Sequence, residues 1–273
     1  MAPAALALAL GAAVLHAGWN LLLARSRDVR AATTVALVVG VISFAPFAAF
    51  SWRVEAAAIP WIVASALLEL VYYFLLTAAY TRSDLSLVYP IARGVAPVLV
   101  LVGATLAGVT LGPWQALGVV LVGGGVLLVR GFVGPVDGKG VALALTIAAT
   151  IAGYTLVDNE GIEHASALAY LELVLLPVAA AAIVAYAIAG RLASVRAEIS
   201  WSALVAGVSS FAAYALALLA LSLASAAAVA AVRETSILVA VALGAIVLRE
   251  SVGPARIVGA TLVVAGVVLV ATT

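Results

Sequence analysis

The chain has no cysteine, which excludes disulfides and thiol chemistry. Histidine occurs only as His16 and His164, too few for a histidine-rich metal site, so no metal and no cofactor is expected. Charge is scarce. Charged residues make up 9% of the 273 positions, where a soluble domain carries about 25%. The net charge is only +1, so the overall field offers nothing to nucleic acid. No polar stretch is long enough to build an appended soluble domain. No Gly-x-x-x-x-Gly-Lys run occurs, so nucleotide-driven chemistry of that type has no basis.

What is present is apolar sequence, at 67% of the chain. A soluble protein of this composition would have no surface to offer water. The expected class is an all-α integral membrane protein. The opening run "MAPAALALALGAAVLHAGWN" lacks the positive leader of a signal peptide, and its basic residues follow in "ARSRDVR". It is expected to be a retained first span.

A helical span needs about 20 largely apolar residues. Cutting at charges, Pro and Gly gives ten: Pro3–Ala24, Ala31–Ser51, Ile59–Thr81, Leu85–Val109, Pro113–Phe132, Gly140–Val157, Ala165–Ala189, Trp201–Leu223, Ser225–Leu248 and Pro254–Ala271. Let side A be the side that holds the N-terminus, and side B the other. The side B loops carry Arg25, Arg27, Arg30, Arg82, Arg130, Lys139, Arg191, Arg196, Arg249 and Arg256, whereas side A carries Arg53 alone. Basic loops stay in the cytoplasm. Side B is therefore expected to be cytoplasmic, with both termini outside. Arg-rich, Lys-poor composition points to a GC-rich bacterium and hence to its cytoplasmic (inner) membrane. Trp52, Trp61, Trp114 and Trp201 lie near span ends, as interfacial anchors do.

The halves repeat each other. "LGPWQALGVVLVGGGVLLV" (111–129) lies over "VGPARIVGATLVVAGVVLV" (252–270), with Gly112/Gly253, Pro113/Pro254, Gly118/Gly259 and Gly125/Gly266 in register. "AGWNLL" from Ala17 lies over "AGYTLV" from Ala152. Two units are expected, 1–135 and 136–273, with five spans each. Five is odd, so the second unit enters the membrane inverted, the arrangement used for alternating access. The loops agree: basic "RSRDVR" is matched by acidic "DNEGIEH". The glycines recur every seven residues, a face for close helix packing within the chain or between subunits of a homodimer.

The chain resembles the drug/metabolite transporter superfamily, in particular ten-span transporters of the EamA type. The residues that carry this are "LRESVGPARIVGATLVVAGVVLV", its partner closing the first half, and "HAGWNLLLARSRD" near the start. The likeness covers nearly the whole chain. It implies the ten-helix, two-repeat fold and a transport activity. It does not name a substrate, because the superfamily moves amino acids, nucleotide sugars, sugar phosphates, drugs and other metabolites. There is one departure: many members begin with basic residues and keep their N-terminus inside.

Intramembrane charges mark candidate function, since each costs about 2.5–3.5 kcal/mol at a helix centre. Glu69, Arg93, Arg233 and Glu234 lie near the midplane, two from each half. Partners gather on the same helical faces: Tyr72, Tyr73, Leu76 and Tyr80 with Glu69, Tyr89 and Pro97 with Arg93, Trp19 and Asn20 with His16, and Asp158 with Tyr154. Pro90 and Pro97 suit a broken helix around Arg93. The expected substrate contacts are Arg93, Arg233, Trp19, Asn20, Tyr73, Tyr89, Tyr154, His16 and Asp158. Arg93 would hold a carboxylate or phosphoryl group and rest against Glu69 when empty. Glu69, with Glu234 as the alternate, would carry a coupling proton. Each has a plainer alternative. Arg93 could form a purely structural Arg–Glu pair, His16 could be a packed histidine, Glu172 could lie near the outer interface, and Asp158, Glu160 and Glu163 could form a solvated loop.

The leading expectation is therefore a secondary transporter of a small anionic or zwitterionic metabolite, proton-coupled or an exporter. The alternative is an organic-cation or drug efflux transporter in which Glu69 binds the cation within an aromatic box. An intramembrane enzyme would need a nucleophile–base or metal cluster, and none has convincing spacing.

Overall fold

In lipid the backbone must satisfy its own hydrogen bonds, and an apolar chain does so by forming helices. A computed structural model describes residues 1–82, 85–130, 138–247 and 253–273, and the side chains outside 80–87, 89–90, 130–137 and 244–252. Among these residues are twelve α-helices: α1 (Pro3–Leu23), α2 (Val29–Phe50), α3 (Ile59–Arg82), α4 (Leu85–Leu106), α5 (Pro113–Arg130), α6 (Gly138–Gly161), α7 (Ala167–Ile188), α8 (Leu192–Ala197), α9 (Trp201–Leu221), α10 (Ala226–Arg233), α11 (Ser236–Val247) and α12 (Pro254–Thr272). Eight segments are long and apolar enough to cross a bilayer, and Ile91–Leu106 and Pro113–Val129 are shorter apolar helices. The chain is a multi-pass, helical membrane protein.

Local sequence sets the helix ends. Pro3 and Pro254 stand in the first turns of α1 and α12, where the missing N–H costs nothing. Asp28 caps α2 by accepting from the amides of Arg30 and Ala31, and Ser200 and Ser225 cap α9 and α10. Gly108 and Gly190 take positive φ, 90° and 66°, just past α4 and α7. There Val109 N–H reaches Ala104 O and Arg191 N–H reaches Tyr186 O, each at 2.9 Å, so the last carbonyls are not left bare.

The expected break around Arg93 is not observed: α4 runs unbroken through Pro90 and Pro97. The break lies in the ninth expected span, between α10 and α11. Here Glu234 N–H bonds Ala231 O, Thr235 N–H bonds Val232 O and Ile237 N–H bonds Glu234 O, so the ladder tightens to three-residue steps. The Thr235 hydroxyl also bonds Val232 O at 2.8 Å, as the Thr150 hydroxyl bonds Ile147 O within the unbroken α6. A proline removes a single donor, which a packed membrane helix absorbs.

Small residues let the helices close on one another. A Cβ on Gly118 would lie 2.7 Å from Gly266 O, and one on Gly125 would lie 2.7 Å from Gly259 O. The reverse approaches, Gly266 to Gly118 O and Gly259 to Gly125 O, are 2.5 and 2.6 Å. The low-numbered glycine of α5 faces the high-numbered one of α12, so the two helices run antiparallel. Elsewhere α1 packs on α9, α3 on α6, and α2 lies across α7 and α9. This leaves a space between α1, α2 and α3 on one side and α6, α7, α9 and α10 on the other.

Candidate functional site

That space is a cavity of about 150 Å³. His16, Trp19, Glu69, Tyr73, Tyr154 and Arg233 line it, as do Tyr72, Ser210, Phe211 and Tyr214. It reaches Leu23 and Thr33, at the side B ends of α1 and α2. Aromatic rings form part of the wall. His16 and Trp19 meet edge-on at 5.1 Å, Tyr72 and Tyr154 edge-on at 5.9 Å, and Tyr154 and Tyr214 tilted at 6.0 Å. Tyr73 is fixed by a 2.7 Å hydrogen bond shared with Thr34.

Two charges lie in this wall, Glu69 at 7% exposure and Arg233 half-buried. Arg233 acts electrostatically on Glu69, Asp158 and Glu234. Among the described residues it forms no ion pair within 4.0 Å, so its fork is not committed to a carboxylate. Arg93 is different. Its guanidinium stands 3.1 Å from Glu234, both side chains are buried, and neither belongs to the cavity wall. The expectation that Arg93 rests against Glu69 is thus corrected. Glu69 lines the cavity together with Tyr214, while Glu234, just after α10, pairs with Arg93 on α4.

Asp158 needs a second correction. It is not in a solvated loop, because α6 continues to Gly161 and buries it to 1% exposure. Its carboxylate accepts hydrogen bonds from Ser65 (2.5 Å), Tyr170 (3.0 Å) and Tyr214 (2.6 Å). Glu172 is also buried, with one oxygen unpartnered among the described residues. Asn20 is off the wall and donates to His16 O at 2.7 Å. The side chains of Tyr80 and Tyr89 lie outside the described residues, as do Phe132, Leu248 and Arg249. Tyr214 was missed by sequence reasoning. Its signal was available: with Ser210 it forms an i, i+4 polar pair in the largely apolar α9.

The model of the EamA-like transporter family matches residues 138–272. Through this second half the chain belongs to that family. The family is one of the drug/metabolite transporter superfamily, so the chain stands among membrane transporters that handle small molecules within a lipid bilayer. EamA-like transporters are generally not enzymes. No curated protein matches the chain. A solved structure described only as "Crystal structure of protein" is similar over 97% of this chain and 96% of its own, with 16% identity and a TM-score of 0.75. That likeness establishes the shared fold along the whole chain.

Proposed function

We propose that this EamA-like chain is a secondary transporter that moves a small zwitterionic or anionic metabolite by alternating access. In this reading it has ten spans in two inverted five-helix repeats, 1–135 and 136–273. The reciprocal approach of Gly118 to Gly266 and of Gly125 to Gly259 supports the inversion, because a two-fold relation makes each contact recur with its partners exchanged. Continuing the Gly112/Gly253 register back along the chain sets Arg93 over Glu234, so the buried ion pair would lie on that axis. The basic loops favour side B as the cytoplasmic side of a bacterial inner membrane.

One observation carries the substrate class: Glu69 and Arg233 share one cavity wall without pairing to each other. A substrate bearing both signs satisfies both. Its carboxylate meets the Arg233 fork, its ammonium meets Glu69, and its body lies among Trp19, Tyr72, Tyr154 and Tyr214. Arg93 then holds Glu234 in place and keeps the α10–α11 break facing the cavity. The interior carries Glu69, Asp158, Glu172 and Glu234 against Arg93 and Arg233, so carboxylates are in excess. A coupling proton on Glu69 would reduce that excess before substrate arrives. The aromatic wall beside Glu69 also supports a second reading, efflux of an organic cation.

A thermal-shift screen of the purified protein separates them, since a ligand of the native state raises apparent stability. The panel takes zwitterions, their N-acetyl anions and their methyl-ester cations. A shift with the zwitterion that Arg233→Gln abolishes is expected. A shift with the cation alone, retained in Arg233→Gln, would replace this reading with the second.

A further inference from the structure

We infer that Asp158 is a latch that holds side A of the cavity shut, and that Tyr214 joins this latch to the cavity wall. The inference rests on the transport reading above. Asp158 sits in the last turn of α6, toward side A. Its three hydroxyl donors come from three other helices: Ser65 from α3, Tyr170 from α7 and Tyr214 from α9. One buried carboxylate thus ties together four helices drawn from both halves of the chain. Hydrogen bonds to a charged acceptor are stronger than neutral ones, so the tie is firm while water stays out.

The layer above Asp158 is also closed. The loop after α2 pairs with the loop after α6 through a bridge between Val54 and Ala165. Glu55 N–H donates to His164 O at 2.9 Å, and Ser166 N–H donates to Arg53 O at 2.8 Å. Gly161 leaves no room for a Cβ against the Tyr170 ring, so ring and helix are in direct contact. Below Asp158 the cavity begins, and it continues to the side B helix ends at Leu23 and Thr33.

The repeat makes the asymmetry plain. The register of Ala17 over Ala152 sets Leu23 opposite Asp158. At the matching place on side B the chain has an apolar side chain that cannot hydrogen-bond, and that residue lines the cavity. Side A has a polar lock where side B has an apolar contact. Tyr214 links the two levels. Its hydroxyl donates to Asp158, and its ring shares the cavity wall with Glu69. A substrate ammonium or a proton arriving at Glu69 changes what faces that hydroxyl. The occupancy of the cavity is thereby passed to the latch.

The absence of native cysteine makes the test direct, because one introduced thiol is the only thiol. Ala213 lines the cavity, so Ala213→Cys reports its accessibility. A membrane-impermeant maleimide is applied from each side of the full chain in oriented vesicles, with side A identified by a tag at the N-terminus. Labelling from side B, with little from side A, is expected. Tyr214→Phe or Ser65→Ala removes one donor to Asp158 and should raise the side A rate about tenfold. Asp158→Asn keeps the shape, loses the charge and should raise it further. Unchanged side A rates in monodisperse Tyr214→Phe and Ser65→Ala proteins would overturn the latch, as would ready side A labelling with no further substitution. The labelling needs no substrate, so a failed latch leaves the transport reading to the ligand panel, and an empty panel leaves the latch to the labelling.

Discussion

Replacing Arg93 with Gln removes the cation from a buried pair and leaves Glu234 uncompensated. The guanidinium and carboxylate are 3.1 Å apart, with side chains 11% and 7% exposed. At an effective dielectric constant of about 20, their attraction at that distance is about 5 kcal/mol. Breaking a buried pair from one side typically costs about 3–5 kcal/mol. Arg93→Gln alone, and Glu234→Gln alone, should each destabilise the protein by roughly that amount. The double variant presents two amides that can hydrogen-bond to each other, and should return to within about 1 kcal/mol of the parent. The assay is a double-mutant cycle on purified protein, read as reversible unfolding in mixed micelles and as ligand-induced thermal shift. Because Arg233, not Arg93, lines the cavity, the double variant should also keep its ligand. A coupling energy below about 0.5 kcal/mol would refute the pair as a structural link. A stable double variant that no longer binds ligand would return Arg93 to direct substrate contact.

Three further outcomes are expected. Gly125→Ala should destabilise the α5–α12 contact by about 1–3 kcal/mol, because its Cβ would meet Gly259 O, whereas Gly124→Ala, with open space around it, should be neutral or slightly stabilising; equal unfolding midpoints would refute the close approach. Glu69→Gln should abolish uphill, gradient-driven transport in vesicles while leaving substrate exchange, and intact uphill transport would move the proton role to Glu234. A reporter active only outside the cytoplasm should work when fused after Thr273, and a cytoplasm-only signal would reverse the topology.

Much of the architecture could be read directly from the sequence. Long apolar runs in a chain with few charges have one stable form in lipid, and glycines matched across two halves have one economical use, close helix packing. The intramembrane charges were also legible, because each is too costly to be incidental. Partner choice was not. Arg93 was expected beside Glu69, yet Glu234 stands there, because pairing depends on where the α10–α11 break turns the chain. Proline content pointed to α4 as the broken helix, but the break lies between α10 and α11, where the sequence has no proline.

Asp158 marks the boundary between the two kinds of information. By itself the sequence determined that this is a helical membrane protein of the EamA type with charges placed inside its apolar runs, because apolar length and charge position are properties of the chain in order. Only the tertiary structure decided which of those charges face the cavity, which are spent on each other, and that Asp158 is sealed by hydroxyls from Ser65, Tyr170 and Tyr214. Those three donors come from helices far apart in sequence. Their meeting depends on how the helices pack, and local spacing does not encode it.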